Sequence, residues 1–150
     1  MLVRKITADE VDKLNHLYYE SNELIEKRKE KILNKYEDIF VLEDNGKIIG
    51  EVTIVYKGYD DIVVSDNIRV NMEAFRILSE YQNNGRGQHL INEVIKALKE
   101  EGYKEITIGV EDHNEIAKHV YTKLGFTNFL RREPPNKYAP NGYDLLMKII

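Results

Sequence analysis

Arg76-Ile77-Leu78-Ser79-Glu80-Tyr81-Gln82-Asn83-Asn84-Gly85-Arg86-Gly87-Gln88-His89-Leu90 reads as the end of a strand, a glycine-punctuated turn and the start of an amphipathic helix. Such a turn presents a row of backbone N–H groups at a helix N-terminus, where the aligned peptide dipoles amount to about half a positive charge. Phosphate and pyrophosphate groups suit that site. The stretch therefore predicts a phosphorylated cofactor, held by main chain more than by side chains.

Reading outward, Val70 to Leu78 supplies the strand. The helix runs to about Glu101, with Leu90, Ile91, Val94, Ile95 and Leu98 on one apolar face and Gly102 as its stop signal. Lys104 to Val110 is the next strand, so a β–turn–α–β unit joins two parallel neighbours by a right-handed crossover. A helix from about Asn114 to Leu124 follows, ended by Gly125. Phe126 to Arg132 and Tyr143 to Ile149 form a closing strand pair around the proline-rich loop Glu133 to Gly142.

Upstream, Leu2 to Ile6 is a strand. Thr7-Ala8-Asp9-Glu10 matches a capping box that starts a helix continuing through Val11, Leu14, Leu17 and Tyr18. A second helix, about Ser21 to Lys35, has a thin apolar face of Leu24, Ile25, Ile32 and Leu33. Its run Glu26-Lys27-Arg28-Lys29-Glu30-Lys31 reads as a solvated face. Asp38 to Leu42 and Lys47 to Tyr56 flank Asn45-Gly46, the preferred type I′ hairpin turn.

The 150 residues suit one domain, with no repeat or linker in view. Acidic residues outnumber basic ones, 26 to 22, for a formal charge of -4. That balance argues against a nucleic-acid partner and favours a cationic small partner. There is no cysteine, which excludes a thiolate metal site, a disulfide and an acyl-cysteine intermediate. No His/Asp/Glu spacing suggests a metal site. No apolar run approaches the ~20 residues that span a bilayer, and no secretory signal opens the chain. A cytoplasmic protein without a membrane partner is expected.

Three phosphate motifs compete for the central turn. A Walker A loop requires G-x-x-x-x-G-K-[ST], which is missing. A dinucleotide fingerprint requires a third glycine, and Gly85-Arg86-Gly87-Gln88-His89-Leu90 lacks it. The pattern Q/R-x-x-G-x-G/A is matched by Gln82-Asn83-Asn84-Gly85-Arg86-Gly87. Alone it also describes a glycine-rich turn that binds nothing. A second pattern lies downstream: Ile108 to Val110 as strand, then Asn114, Ala117, Tyr121 and Gly125-Phe126 as N-x-x-A-x-x-x-Y-x-x-x-G-F.

Together, in this order and at this separation, the two motifs resemble those of the GNAT N-acetyltransferase family. The resemblance covers essentially the whole chain. It implies a mixed α/β (α+β) fold: a mostly antiparallel sheet with a central splayed parallel strand pair and helices on both faces. It further implies acetyl-CoA as co-substrate and direct acetyl transfer to an amine in a ternary complex. By the resemblance, Gln82, Asn83, Asn84, Gly85, Arg86 and Gly87 cradle the pyrophosphate, with Gly85 and Gly87 allowing close approach. The backbone of Ile77 pairs with the pantetheine arm, which Asn114 also meets, unless Asn114 is simply a helix N-cap.

Tyr121 falls where the family has a tyrosine near the thioester sulfur. Glu73 is the candidate base; period-2 alternation puts it on one strand face with Phe75 and Ile77. Its alternative is a carboxylate paired with Arg69. Asn71, on that face, is a candidate to hold a water, and His113 is a reserve base. The resemblance places the acceptor between the first two helices and the loop before the last strand. Tyr18, Tyr19 and Tyr138 would shape an amine pocket, Glu20 would hold a cation, and Arg131-Arg132 would meet a carboxylate. The expected acceptor is a small-molecule primary amine. A protein N-terminus or lysine is the second reading and a silent acyl-CoA-binding module the third. The last strands of such folds often meet a partner subunit, which makes a homodimer an open expectation.

Overall fold

Asn45 and Gly46 take positive φ, 49° and 83°, as a type I′ turn requires. They join β2 (Glu37–Asp44) to β3 (Lys47–Val55). The computed structural model describes residues 1–17 and 20–150. β1 (Leu2–Lys5) pairs with β2, and β4 (Arg69–Ile77) with β3, all antiparallel. β5 (Glu105–Glu111) lies parallel to β4 and is followed by β7 (Tyr143–Ile149) and the edge strand β6 (Asn128–Glu133). The sheet order is β1-β2-β3-β4-β5-β7-β6, the mixed, mostly antiparallel architecture expected from the sequence.

One face carries a 3₁₀ helix (Ala8–Leu14) and α1 (Asn22–Leu33) over Ile39, Val41 and Ile48. The other carries α2 (Arg86–Glu100) and α3 (Glu115–Lys123). Leu90, Ile91, Val94 and Leu98 of α2 are fully buried against Ile49, Val52, Ile54, Val70, Ile106 and Phe126. Each such side chain contributes roughly 1.5–3 kcal/mol. That packing fixes where the N-terminus of α2 points.

Two helical expectations need correction. The first helix is a 3₁₀ helix, because its buried residues Ala8, Val11 and Leu14 recur every third position. It ends at Leu14 instead of running on through Leu17, and Tyr18 and Tyr19 lie outside the described residues. In α1, Leu24 and Leu33 are exposed while Arg28 is buried on the face of Ile25 and Ile32. Arg28 therefore does not belong to a solvated charged face.

Two features of β4 shape the cavities on either side of it. Its ladder with β5 holds only for Arg69↔Glu105, Val70↔Ile106 and Asn71↔Thr107; beyond that the two strands part, while β5 stays paired with β7. Second, the register with β3 shifts between Glu51↔Arg76 and Thr53↔Glu73, and Ala74 sits there at φ 54°. This bulge inserts one residue and reverses the alternation. Phe75 and Ile77 join the α2 face, whereas Glu73 and Arg76 share the opposite face with their partners Thr53 and Glu51. The expected common face of Glu73, Phe75 and Ile77 does not exist.

Candidate active site

The fork between β4 and β5 opens into a cleft of about 900 Å³ on the α2–α3 side, lined by Phe75, Ile77, Gln82, Asn83, Gly87 and Val120 among others. The turn that closes one end is built locally. The Gln82 side-chain amide donates to the Ile77 carbonyl at 2.8 Å. Asn83 and Gly85 adopt φ 65° and 76°, and Gly85 caps α2. The amides of Arg86, Gly87 and Gln88 fall in the first turn, where no intrahelical acceptor exists. That turn carries no acidic residue.

The glycines are required for reasons internal to the fold. A Cβ on Gly85 would meet nothing within 4 Å, so its positive φ is the constraint. A Cβ on Gly87 would lie 2.9 Å from the Phe75 ring. Arg86 packs against an aromatic ring: its guanidinium lies 5.2 Å from the Tyr81 ring centroid, and its Nε is buried without a hydrogen-bond partner. Asn114 accepts from the Ala117 amide at 3.0 Å and caps α3. It is not among the residues lining the cleft.

A second cavity, of about 640 Å³, lies against the opposite face of β4. It brings together Glu20, Asn71, Glu73, Tyr121 and Tyr138 from separate segments of the chain. Arg76 lines both cavities and so marks their boundary. Tyr121 reaches the cavity from α3 and packs tilted on Phe75 and edge-on to Phe126, with centroids at 6.5 and 5.9 Å. Burial pushes its phenol above the usual value. Glu73 accepts a 2.8 Å hydrogen bond from the Tyr59 hydroxyl. The alternative partner, Arg69, is engaged by Glu105 and by the carbonyls of Asp61 and Ile62.

Several expected acceptor contacts are already used within the chain. Arg28 donates to Glu20 and to Glu51, both at 2.8 Å, and Arg76 lies 3.5 Å from Glu20 and 3.8 Å from Glu51. The cation that Glu20 holds is therefore Arg28. Burial is the largest influence on the Arg28 pKa and opposes its charge; Glu51 and Glu20 outweigh it and raise the value. Glu51 is fully buried, and its Oε2 has no hydrogen-bond partner.

Asn71, expected to hold a water, donates from Nδ2 to the hydroxyl and carbonyl of Thr107, at 3.0 and 3.2 Å. It closes the root of the fork. Arg131 is engaged by Asp60 and Glu133, and Arg132 by Asp112 and Asp144, so neither waits for an acceptor carboxylate. Tyr138 stands 78% exposed on a loop folded over Asn136, whose Oδ1 accepts from the amides of Tyr138 and Ala139.

Sequence reasoning missed Arg28, Glu51, Arg76, Tyr59, Glu37 and Glu111 as parts of this site. Arg28 carried a usable signal, since it stands three residues after Ile25 and four before Ile32, on the buried stripe of α1. Burial pushes the Glu37 carboxyl up; Lys31 opposes the shift and the charge of Glu73 adds to it.

The cleft fits an elongated phosphorylated ligand. One strand edge is unpaired with its parallel neighbour, one end is a helix N-terminus, and the walls include Phe75, Ile77, Ile116 and Val120. Comparisons with known proteins give that fit a family. Residues 8–126 match the acetyltransferase (GNAT) family. N-alpha-acetyltransferase 30 of Schizosaccharomyces pombe is 29% identical over 111 residues, which is 74% of this chain and 69% of that protein. N-alpha-acetyltransferase MAK3 of Arabidopsis thaliana is 30% identical over 105 residues, 70% of this chain and 51% of that protein. An aminoglycoside 6'-N-acetyltransferase solved with coenzyme A superposes with a TM-score of 0.72 at 16% identity, covering 99% of this chain and 97% of the other. The chain belongs to the acetyltransferase (GNAT) family and is an N-acetyltransferase with acetyl-CoA as co-substrate.

Proposed function

We propose that the enzyme transfers the acetyl group directly to a primary amine of a small, cationic acceptor seated in the second cavity. The observation that supports this most is the charge of that cavity beside the cleft. Glu20 and Glu51 are matched by Arg28 and Arg76. Glu37, Glu73 and Glu111 then face Lys31 alone among the remaining charged lining residues described. Excess carboxylate recruits and orients a protonated amine. The volume is in the usual range for a small-molecule site.

In this reading acetyl-CoA, when bound, supplies an activated acyl group and a thiolate leaving group. The glycine turn and the first amides of α2 hold its pyrophosphate, and the edge of β4 around Ile77, unpaired with β5 and with the Ile77 carbonyl held by Gln82, aligns its arm. An amine of ordinary pKa near 10.4 costs roughly 4–5 kcal/mol to deprotonate at pH 7. Glu73 takes that proton, a service typically worth about 10²–10⁴-fold. Tyr121 faces the departing sulfur. Even an unshifted phenol is a weaker acid than a thiol by roughly 2 kcal/mol, and burial widens that gap. Tyr121 therefore acts as a hydrogen-bond donor to the thiolate and keeps its own proton.

A second reading, acetylation of a peptide N-terminus, draws on the names of the two relatives at 29 and 30% identity. The exposed Tyr138 at the cavity rim suits an extended ligand. The two are separated by measuring CoA release across polyamines, aminoglycosides, amino acids and short peptides. Turnover confined to small cationic amines, cut about 10²-fold by Tyr121→Phe with acetyl-CoA affinity intact, is expected. Turnover confined to peptides would replace the acceptor, and full activity of Tyr121→Phe would remove its role.

A further inference from the structure

The loop from Lys57 to Ile68 carries no regular element in the middle of the site, yet it is tied down at successive points. Gly58, at φ 104°, turns the chain immediately before Tyr59. Asp60 accepts from the amides of Ile62 and Val63 through Oδ1 and from Arg131 of β6 through Oδ2 at 2.7 Å. Arg69 donates to the carbonyls of Asp61 and Ile62. The Val63 carbonyl accepts from Thr107 of β5 at 2.8 Å. Fixed in this way, the loop delivers the Tyr59 hydroxyl to Glu73 Oε2.

We propose that Tyr59 is a positioning residue for the transfer reaction: its hydroxyl holds the Glu73 carboxylate by Oε2, leaving Oε1 directed to receive the acceptor's proton. The proposal rests on Glu73 being the base. In the step, the proton leaves the acceptor nitrogen for Glu73 Oε1, and Tyr59 keeps its own. Burial first, then the charge of Glu73, pushes the Tyr59 phenol well above its ordinary value, so it stays a donor over any working pH. A donated hydrogen bond favours the charged carboxylate. In Glu73 that bond also fixes the direction of the second oxygen.

Other groups also face the cavity around Glu73. Glu37 of β2 and Glu111 of β5 bring like charge; Lys31 and Arg28 of α1 and Arg76 of β4 bring opposite charge; Tyr121 of α3 and Tyr143 of β7 are neutral phenols. Tyr59→Phe changes none of them and removes a single oxygen from a side chain that is half exposed. The comparison thus isolates one hydrogen bond.

The deciding experiment tracks the carboxyl carbon of Glu73 by ¹³C NMR through a pH titration of the intact protein, in wild type and Tyr59→Phe, with Glu73→Gln identifying the resonance. The expected result is a Glu73 pKa about one unit higher in Tyr59→Phe. In parallel, the acid limb of kcat, read as CoA release with the acceptor panel, moves up by the same amount. That makes the variant about tenfold slower below the limb, and the carboxylate, no longer held in direction, leaves it slower than wild type above the limb as well. A Glu73 resonance that titrates identically in both proteins overturns the proposal while leaving Glu73 its role. A Glu73→Gln enzyme that keeps the wild-type acid limb removes Glu73 as base, and the proposal with it.

Discussion

On one face of β4, Phe75 and Ile77 line a cleft bordered by main chain: a strand edge unpaired with β5 and a helix N-terminus. On the other, Asn71, Glu73 and Arg76 face a cavity walled by charged side chains from α1, β2, β5 and the loops. The two differ in what a single substitution can damage. A backbone site is altered only by residues that change where the chain can go. A side-chain site is altered by each partner, and a buried partner left alone costs more than one left in water.

The largest effect is therefore expected on the charged side. Arg28→Ala removes the 2.8 Å partner of Glu20 and of the fully buried Glu51, whose second oxygen already lacks a hydrogen bond, and leaves them only the more distant Arg76. Breaking such a pair costs about 3–5 kcal/mol. Chemical denaturation of Arg28→Ala should show that loss, while the protein that remains folded keeps its acetyl-CoA affinity. A stability change under about 1 kcal/mol would show that water already reaches the network, since exposed pairs are worth no more than that.

Gly87→Ala is the corresponding change on the backbone side. Its Cβ would enter the Phe75 ring, and overpacking of this kind costs about 1–3 kcal/mol. Calorimetry should find weaker acetyl-CoA binding with the acceptor KM unchanged; equal losses in both would break the separation of the two sites.

The smallest expected change lies on the shared strand. Ala74 holds φ 54°, a conformation that glycine adopts freely. Strain relief in Ala74→Gly should slightly exceed the added unfolded-state entropy, for a gain of roughly half a kcal/mol. A lower melting temperature for Ala74→Gly would mean that the bulge is not strained.

The same contrast governs how much was legible in the sequence. Backbone sites have local grammar. Asn45-Gly46, Gly85, Gly102 and the Gln82–Gly87 pattern each specify a conformation within a few residues, and the sheet, its parallel pair and the cleft followed from them. The charged cavity has none. Arg28 and Glu51 are 23 positions apart, and Glu20 and Arg76 are 56 apart. No spacing rule reaches so far. Alanine gives no warning of positive φ, so the reversal at Ala74 was invisible, and it put Glu73 on the face opposite to the one its alternation implied. Tyr59 sits in a loop without periodicity. Asn71, Glu20, Arg131 and Arg132, read from the sequence as contacts for a water, a cation and a carboxylate, are each engaged by partners within the chain.

The three rungs of the β4–β5 ladder can also be viewed as a seam. On one side lies a plate of four antiparallel strands, on the other a plate of three, and between them the ladder has its rungs at Arg69, Val70 and Asn71, next to the Ile68 carbonyl that accepts from the amides of Lys104 and Glu105. Any force that widens the cleft concentrates at the tip of that seam. There the Thr107 hydroxyl accepts from Asn71 and donates to the Val63 carbonyl, binding both plates and the loop that carries Tyr59. The vertex is placed like a rivet at the tip of a crack, and the loop behind Glu73 is fastened to the same point.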